Sequence, residues 1–182
     1  MISAIKQKKS NCKKCGMFGP VISNLCKVCY WTGVKVKSFN KPDANDTIEE
    51  DGIPELIGKA DYIFSKYIRL KAANGKTEYK CFICGKETSF SKGQNMHFIK
   101  RENLYLRYDE RNCKAGCKSC NEFKGGNYLM YINKLEKEQP GITEILMQES
   151  RIVYKPTRSE MQLIIKGYTN KLKEIELVKE AI

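Results

Sequence analysis

No apolar run in this 182-residue chain is long enough to cross a bilayer as a helix, and its first ten residues are basic and polar, without the apolar stretch of a secretory signal. The first absence excludes a helical membrane span; the second predicts a cytoplasmic protein. Negative charge is also scarce. There are 21 Asp and Glu against 33 Lys and Arg, a formal net charge of +12. That balance argues against a basic partner and for a polyanionic one, either nucleic acid or an acidic membrane face. Histidine is nearly missing, with His97 standing alone, so any imidazole chemistry falls to that one side chain. No low-complexity tract occurs, and nothing repeats except paired cysteines.

What charge there is lies unevenly. From Lys59 to Lys134 sixteen Lys and Arg face seven Asp and Glu, a surplus of nine, whereas Asp43 to Glu55 holds six acids and no base. A basic central block is the footprint of phosphate contacts, although a solubilising surface would read the same way. Three segments follow. Residues 1–39 are short, basic and cysteine-bearing; 40–53 form an acidic, turn-rich linker; 54–182 carry the long periodic stretches.

Within the last segment Leu56, Ala60, Ile63, Phe64, Tyr67 and Ile68 recur at helical spacing, and Asn74-Gly75 supplies a stop. A short strand fits 78–84, running into a cysteine pair. Residues 96–99 and 105–107 read as the two strands of a hairpin. A helix is predicted from Cys117 through Tyr131 to Leu135, with Gly125-Gly126 as its weak point, then a short helix over 142–148 after Pro140-Gly141. Met161, Ile164, Ile165, Tyr168, Leu172 and Ile175 mark a long C-terminal helix that Thr157 or Ser159 would cap.

Nine cysteines in a chain expected to stay in a reducing compartment require an explanation other than disulfides. Eight fall in Cys-x-x-Cys pairs: Cys12 with Cys15, Cys26 with Cys29, Cys81 with Cys84, and Cys117 with Cys120. Two thiolates separated by two residues can face one ion from a tight turn, and two such turns complete a tetrahedron around Zn²⁺. The spacing therefore predicts two structural zinc sites, one in a small N-terminal ribbon and one in the main domain. Four thiolates also suit an iron–sulfur cluster, but nothing else in the chain points to electron transfer. Cys113 is left over, as a packed thiol.

The insertion between the second two pairs holds His97, then Arg101, Arg107, Arg111 and Asn112, then Cys117-Lys118-Ser119-Cys120-Asn121-Glu122-Phe123-Lys124. This order resembles the HNH, or ββα-metal, nuclease motif, in which a strand histidine precedes a loop asparagine and a metal ligand at a helix start. The stretches Met96-His97-Phe98, Leu106-Arg107-Tyr108-Asp109-Glu110-Arg111-Asn112, Cys117-x-x-Cys120-Asn121 and Lys124-x-Gly126-Asn127, with Tyr131 beyond, resemble the core of the NinG (Rap) recombination endonucleases of lambda-type phages. The resemblance implies an α+β protein with an HNH-like ββα-metal core, a four-cysteine zinc site and flanking helices, cutting branched DNA such as four-way junctions and D-loops with Mg²⁺ or Mn²⁺. It implies His97 as general base and Asn121 as a ligand of the catalytic metal. Asn112 would brace the loop that holds His97 or touch the metal, and as plain structure it would serve a turn. Arg101, Arg107, Arg111, Lys118 and Lys124 would face phosphates, or form a solvated surface.

The chain departs from the motif at two places. Members carry Asp-x-Gly-His where this chain has Gln94-Asn95-Met96-His97, and Lys114 stands where a second histidine is often found. Loss of a carboxylate weakens a site for a hard cation, leaving Asn95, Asp109 or Glu122 as substitutes. The competing expectation is thus a zinc protein that binds DNA without cutting it. A third is an adaptor whose N-terminal unit recruits phage or host recombination proteins. A homodimer would suit the near two-fold symmetry of a four-way junction. Metal analysis of the purified chain checks the cysteine reading: two equivalents of zinc per chain are expected.

Overall fold

The structure is a computed structural model. It describes complete residues at 13, 52–74, 77–123 and 125–176, and backbone alone at 9–11, 18–22, 25–26 and 177–180. Near the N-terminus β1 (Lys9–Asn11), β2 (Phe18–Ile22) and β3 (Leu25–Cys26) form a three-stranded antiparallel sheet in the order β1-β2-β3. Cys12, Cys15 and Cys29, the Cys26 side chain, Lys124 and nearly all of the linker over 40–53 lie outside what is described.

The first long helix, α1 (Ile53–Ala73), carries Pro54 in its first turn, where the fixed φ of proline is suited. It ends at Asn74, which caps it in the left-handed conformation at φ 45° and donates its N–H to the Leu70 carbonyl at 3.2 Å. Its buried face, Leu56, Ala60, Phe64, Tyr67 and Ile68, packs on α4 (Arg158–Glu180). Three aromatic rings fix that contact: Phe64 meets Tyr108 and Tyr168 edge to face at 5.7 and 4.7 Å. The Tyr168 hydroxyl donates to the Tyr108 carbonyl at 2.8 Å. Such pairs add about 0.5–1.5 kcal/mol each to the burial itself.

Two small hairpins sit beside α1. Strands β4 (Glu78–Lys80) and β5 (Glu87–Ser89) pair antiparallel, and between them Cys81 to Gly85 make a tight turn that needs Gly85 at φ 73°. Strands β6 (Gly93–His97) and β7 (Cys113–Cys117) pair antiparallel, with His97 opposite Cys113 and Gly93 opposite Cys117. A π-helical segment, Ser119–Phe123, leaves β7 directly. Helices α2 (Tyr128–Glu138) and α3 (Ile142–Glu149) follow. They share a second core with the cysteine turns, in which Ile83, Met96, Leu106, Tyr131, Leu135, Ile142 and Leu146 are buried.

Two expectations are corrected here. Residues 96–99 do not pair with 105–107; β6 pairs with β7 instead. The segment between them is a succession of tight turns, with Asn103, Leu106, Asp109 and Asn112 each donating an N–H to the carbonyl three residues back. The Asn103 side chain also accepts from the Leu106 N–H, and the Asp109 carboxylate from the Arg111 N–H. Short polar side chains that satisfy local backbone groups compete with a ladder, so the apolar run Tyr105-Leu106 is buried without being a strand. The helix predicted from Cys117 to Leu135 is broken. Gly125, Gly126 and Asn127 all have positive φ, and the α-helical bonding restarts beyond them.

At the start of α4 the Thr157 side chain and N–H donate to the Glu160 carboxylate at 2.9 and 2.8 Å, and the Glu160 N–H donates back to the Thr157 hydroxyl at 3.2 Å. This reciprocal cap satisfies donors that the first turn leaves without partners. Thr157→Ala should lower unfolding stability by about 1 kcal/mol, read from urea denaturation, with little change in the shape of the far-ultraviolet dichroism spectrum.

Candidate metal centre and adjoining cleft

The β4–β5 turn presents Cys81 and Cys84; the end of β7 and the π-helical segment present Cys117 and Cys120. All four sulfurs lie within 4.8 Å of one another, and the Cys84 and Cys117 sulfurs are 3.8 Å apart. Ligands about 2.3 Å from a tetrahedral Zn²⁺ would themselves be separated by about 3.8 Å. The donor set and its spacing therefore fit zinc. The local fold is built to hold that spacing. The Gly85 N–H donates to the Cys81 carbonyl at 2.9 Å, and the Phe82 N–H donates to the Ala115 carbonyl at 3.0 Å, tying the first turn to β7.

The thiols differ in how readily they ionise. Burial raises the pKa of Cys81, and takes Cys120 up to about 12. Cys84, exposed and bonded to the Lys86 backbone, is lowered to about 7. A bound dication overrides the burial penalty, because its charge stabilises each thiolate directly. Cys113, fully buried, is pushed well above its ordinary value by desolvation, as befits a packed thiol.

Beside this centre lies an open cleft of about 780 Å³. Helix α1 lines it with Asp61, Tyr62, Ser65 and Arg69; β6 with Gly93, Gln94, Asn95 and His97; the turn segment with Lys100, Arg101 and Glu102; the π-helical segment with Asn121 and Glu122. His97 and Asn121, far apart in sequence, thus face one space. Asn95 and His97 share a face of β6 because strand side chains alternate. The Asn95 side-chain amide oxygen, Oδ1, is buried without a hydrogen-bond partner.

His97 lies 3.1 Å, through Nε2, from the Arg107 carbonyl. A carbonyl only accepts, so Nε2 carries the proton and Nδ1 keeps its lone pair. Burial lowers the His97 pKa below 6.5, and the neighbouring Arg107 charge acts in the same direction. Both effects favour the neutral imidazole, against the hydrogen bond to the Arg107 backbone, which favours the charged form. Gln94 links the other side of the cleft: it accepts from the Asn121 amide at 2.7 Å and donates to the Glu122 carboxylate.

The remaining predicted residues divide by what they touch. Asn112 is completely buried and lies outside the cleft lining. It accepts from the Ile99 N–H at 2.6 Å and donates to the Ile99 and Leu106 carbonyls at 2.9 and 3.0 Å. Of the two roles open to it, these contacts serve the brace. Arg107 forms a two-pronged pair with Asp61 at 2.7 and 2.5 Å, and Arg111 pairs with Asp109 and Glu149 at 2.5 and 2.6 Å. The expectation that these two arginines face phosphates is revised, since their guanidiniums are committed to carboxylates and mostly buried. Asp109, held by Arg111 and 1 % exposed, is likewise removed from the candidate metal ligands. Arg101 is exposed at the cleft, and Lys118 is exposed with a loose 3.7 Å pairing to Glu122. Asp61, Arg69 and Lys100 are cleft residues that sequence reasoning missed. The helical periodicity of α1 had marked its apolar face, and no spacing signal distinguishes its polar one.

These features define a class: a cysteine-clamped α+β protein with a polar cleft joining a neutral histidine to amide and carboxylate groups. The family described as Bacteriophage Lambda NinG protein matches residues 52–179, and the chain belongs to that family. It is 31% identical over 99 residues to Protein ninG of Escherichia phage 933W, and equally to Protein ninG of Enterobacteria phage VT2-Sa. Each alignment covers 52% of this chain and 47% of the relative, so the chain spans about half the length of the curated relatives it matches. No solved structure matches it. No helix among the described residues is long and apolar enough to cross a membrane.

Cys117→Ala should remove one equivalent of zinc, by metal analysis, and cost about 4 kcal/mol of stability, seen as a collapse of Tm. Cys113→Ala should leave the zinc content unchanged.

Proposed function

We propose that this chain is a metal-dependent endonuclease selective for branched DNA, acting in phage-type recombination. The observation that carries the reading is the meeting of His97 and Asn121 in one cleft, beside a four-cysteine clamp, on a chain of net charge +12. The antiparallel β6 and β7 followed at once by a helical segment support an HNH-like ββα core.

In this reading His97 is the general base. Its Nδ1 lone pair takes a proton from the attacking water, while the Arg107 carbonyl holds the ring through Nε2. Asn121, with Glu122 and the unpartnered oxygen of Asn95, supplies the hard oxygen donors that fit Mg²⁺ or Mn²⁺. When bound, that cation stabilises charge on the scissile phosphate and leaving oxygen. Gln94, standing where the motif has an acid, bridges Asn121 to Glu122 and so draws a carboxylate to the same place from the neighbouring segment. Arg101 and Lys118 contact flanking phosphates, with Lys124 between them and the following glycines in sequence. Asn112 contributes by fixing the loop that carries the Arg107 carbonyl. A two-fold dimer would match a four-way junction.

The second reading, binding without cutting, is favoured by the absence of an acid on β6 itself. Cleavage of labelled junction, flap and duplex DNA with Mg²⁺ or Mn²⁺ separates the two. Nicking of branched substrates is expected, with His97→Ala slower by about 100-fold or more and binding nearly unchanged. Salt-sensitive binding with no cutting under either metal would establish the second reading instead.

A further inference from the structure

A second cleft, of about 670 Å³, adjoins the first: His97, Lys100 and Glu102 line both spaces. Its character is different. Phe98 forms part of its wall and is almost wholly buried, and Tyr128 lies parallel to it, with ring centres 5.1 Å apart and an angle of 11° between planes. Tyr131 supports the stack from below, edge-on to Phe98 at 6.0 Å, with its hydroxyl donating to the Met96 carbonyl at 3.1 Å. Phe98 occupies one face of the Tyr128 ring, yet the residue remains 46% exposed. The stack thus ends in a partly exposed aromatic ring that lines the cleft. Gly125 and Gly126 also line the cleft, and a Cβ at either would meet nothing within 4 Å, so space beside their backbone is open.

In sequence the glycine turn is flanked by two exposed apolar side chains. Phe123 is 77% exposed on one side and Leu129 75% exposed on the other. Duplex DNA offers such a surface little, because its base faces are stacked inside and its outside is phosphate. Unpaired bases at a branch or in a single strand expose π faces that stack on aromatic side chains regardless of sequence. Lys100, which lines the cleft, is placed to hold a connecting phosphate.

We propose that this second cleft receives an unpaired nucleobase of the bound DNA, stacked on Tyr128, and so positions a branch point beside His97. The inference rests on the DNA-binding part of the reading above but not on cleavage. A base lodged here places its own phosphate toward the first cleft, so that selection of branched substrate follows from the stack while affinity for any DNA comes from the cations.

The test uses the zinc-loaded full chain without added magnesium or manganese. Binding is measured by anisotropy to a junction carrying unpaired bases at its branch and to a fully paired duplex of equal length. Tyr128→Ala should weaken binding to the branched DNA roughly tenfold and leave the duplex unchanged, while Tyr128→Phe behaves as the unaltered chain. The salt dependence of binding should be the same for all three, because the stack carries no charge. A 2-aminopurine at the unpaired position should be quenched on binding by the unaltered chain and not by Tyr128→Ala. Equal weakening on both DNAs, or fluorescence indifferent to Tyr128, would overturn the proposal while leaving the nuclease reading intact. Failure of the unaltered chain to bind either DNA would overturn both.

Discussion

The convergence of four sulfurs from two distant turns is the constraint on which the rest of the described structure depends. Cys81 and Cys84 end one hairpin; Cys117 and Cys120 end another. Neither hairpin has enough core to stand alone, since two-stranded ribbons are marginal in water. Bringing the four sulfurs together, at a spacing that could hold one metal ion, fixes where β7 stops and where the following helical segment starts. That in turn fixes Asn121 and Glu122, which directly follow Cys120. The cleft therefore inherits its geometry from the clamp.

A second restraint acts on the histidine side. The fifteen residues between β6 and β7 include no regular element, yet they are held by a buried amide, Asn112, and by two arginine–carboxylate pairs. Arg107 reaches α1 through Asp61, and Arg111 reaches the end of α3 through Glu149. Glu110, between them, accepts from Tyr67 and Lys71 of α1 and from Lys171 of α4. Two consecutive turns of the loop, 106–109 and 109–112, are thus fastened to three helices. Breaking one partner of a buried pair is costly because it strands the other charge, so the loop behaves as part of the scaffold. The Arg107 carbonyl, and with it the His97 tautomer, is set by that scaffold.

Charge also divides by burial. The sequence shows a basic block, but part of its positive charge is already paired: Arg107 and Arg111, mostly buried, and the more exposed Lys71 all bond to carboxylates. What remains exposed at the cleft is smaller and more local than the raw surplus, with Arg101 and Lys118 at the edge. The adjoining surface is aromatic and aliphatic.

By itself the sequence determined the features that local chemistry encodes. Cys-x-x-Cys spacing declared the cysteine cluster; the 3.6-residue periodicity of α1 and α4 declared the first core; Asn74 declared one helix end, and Thr157 or Ser159 another, of which the structure uses Thr157. His97 and Asn121 were legible as a pair only through their order in a motif. Tertiary structure alone decided which strand His97 pairs with, that Asn103, Asp109 and Asn112 turn the intervening segment away from a hairpin, and that Arg107 and Arg111 serve carboxylates. The physical reason is range. A turn, a cap or a knuckle is settled by neighbours within a few residues, whereas the partner of an arginine or the register of a strand is settled by groups brought near only after the chain has folded.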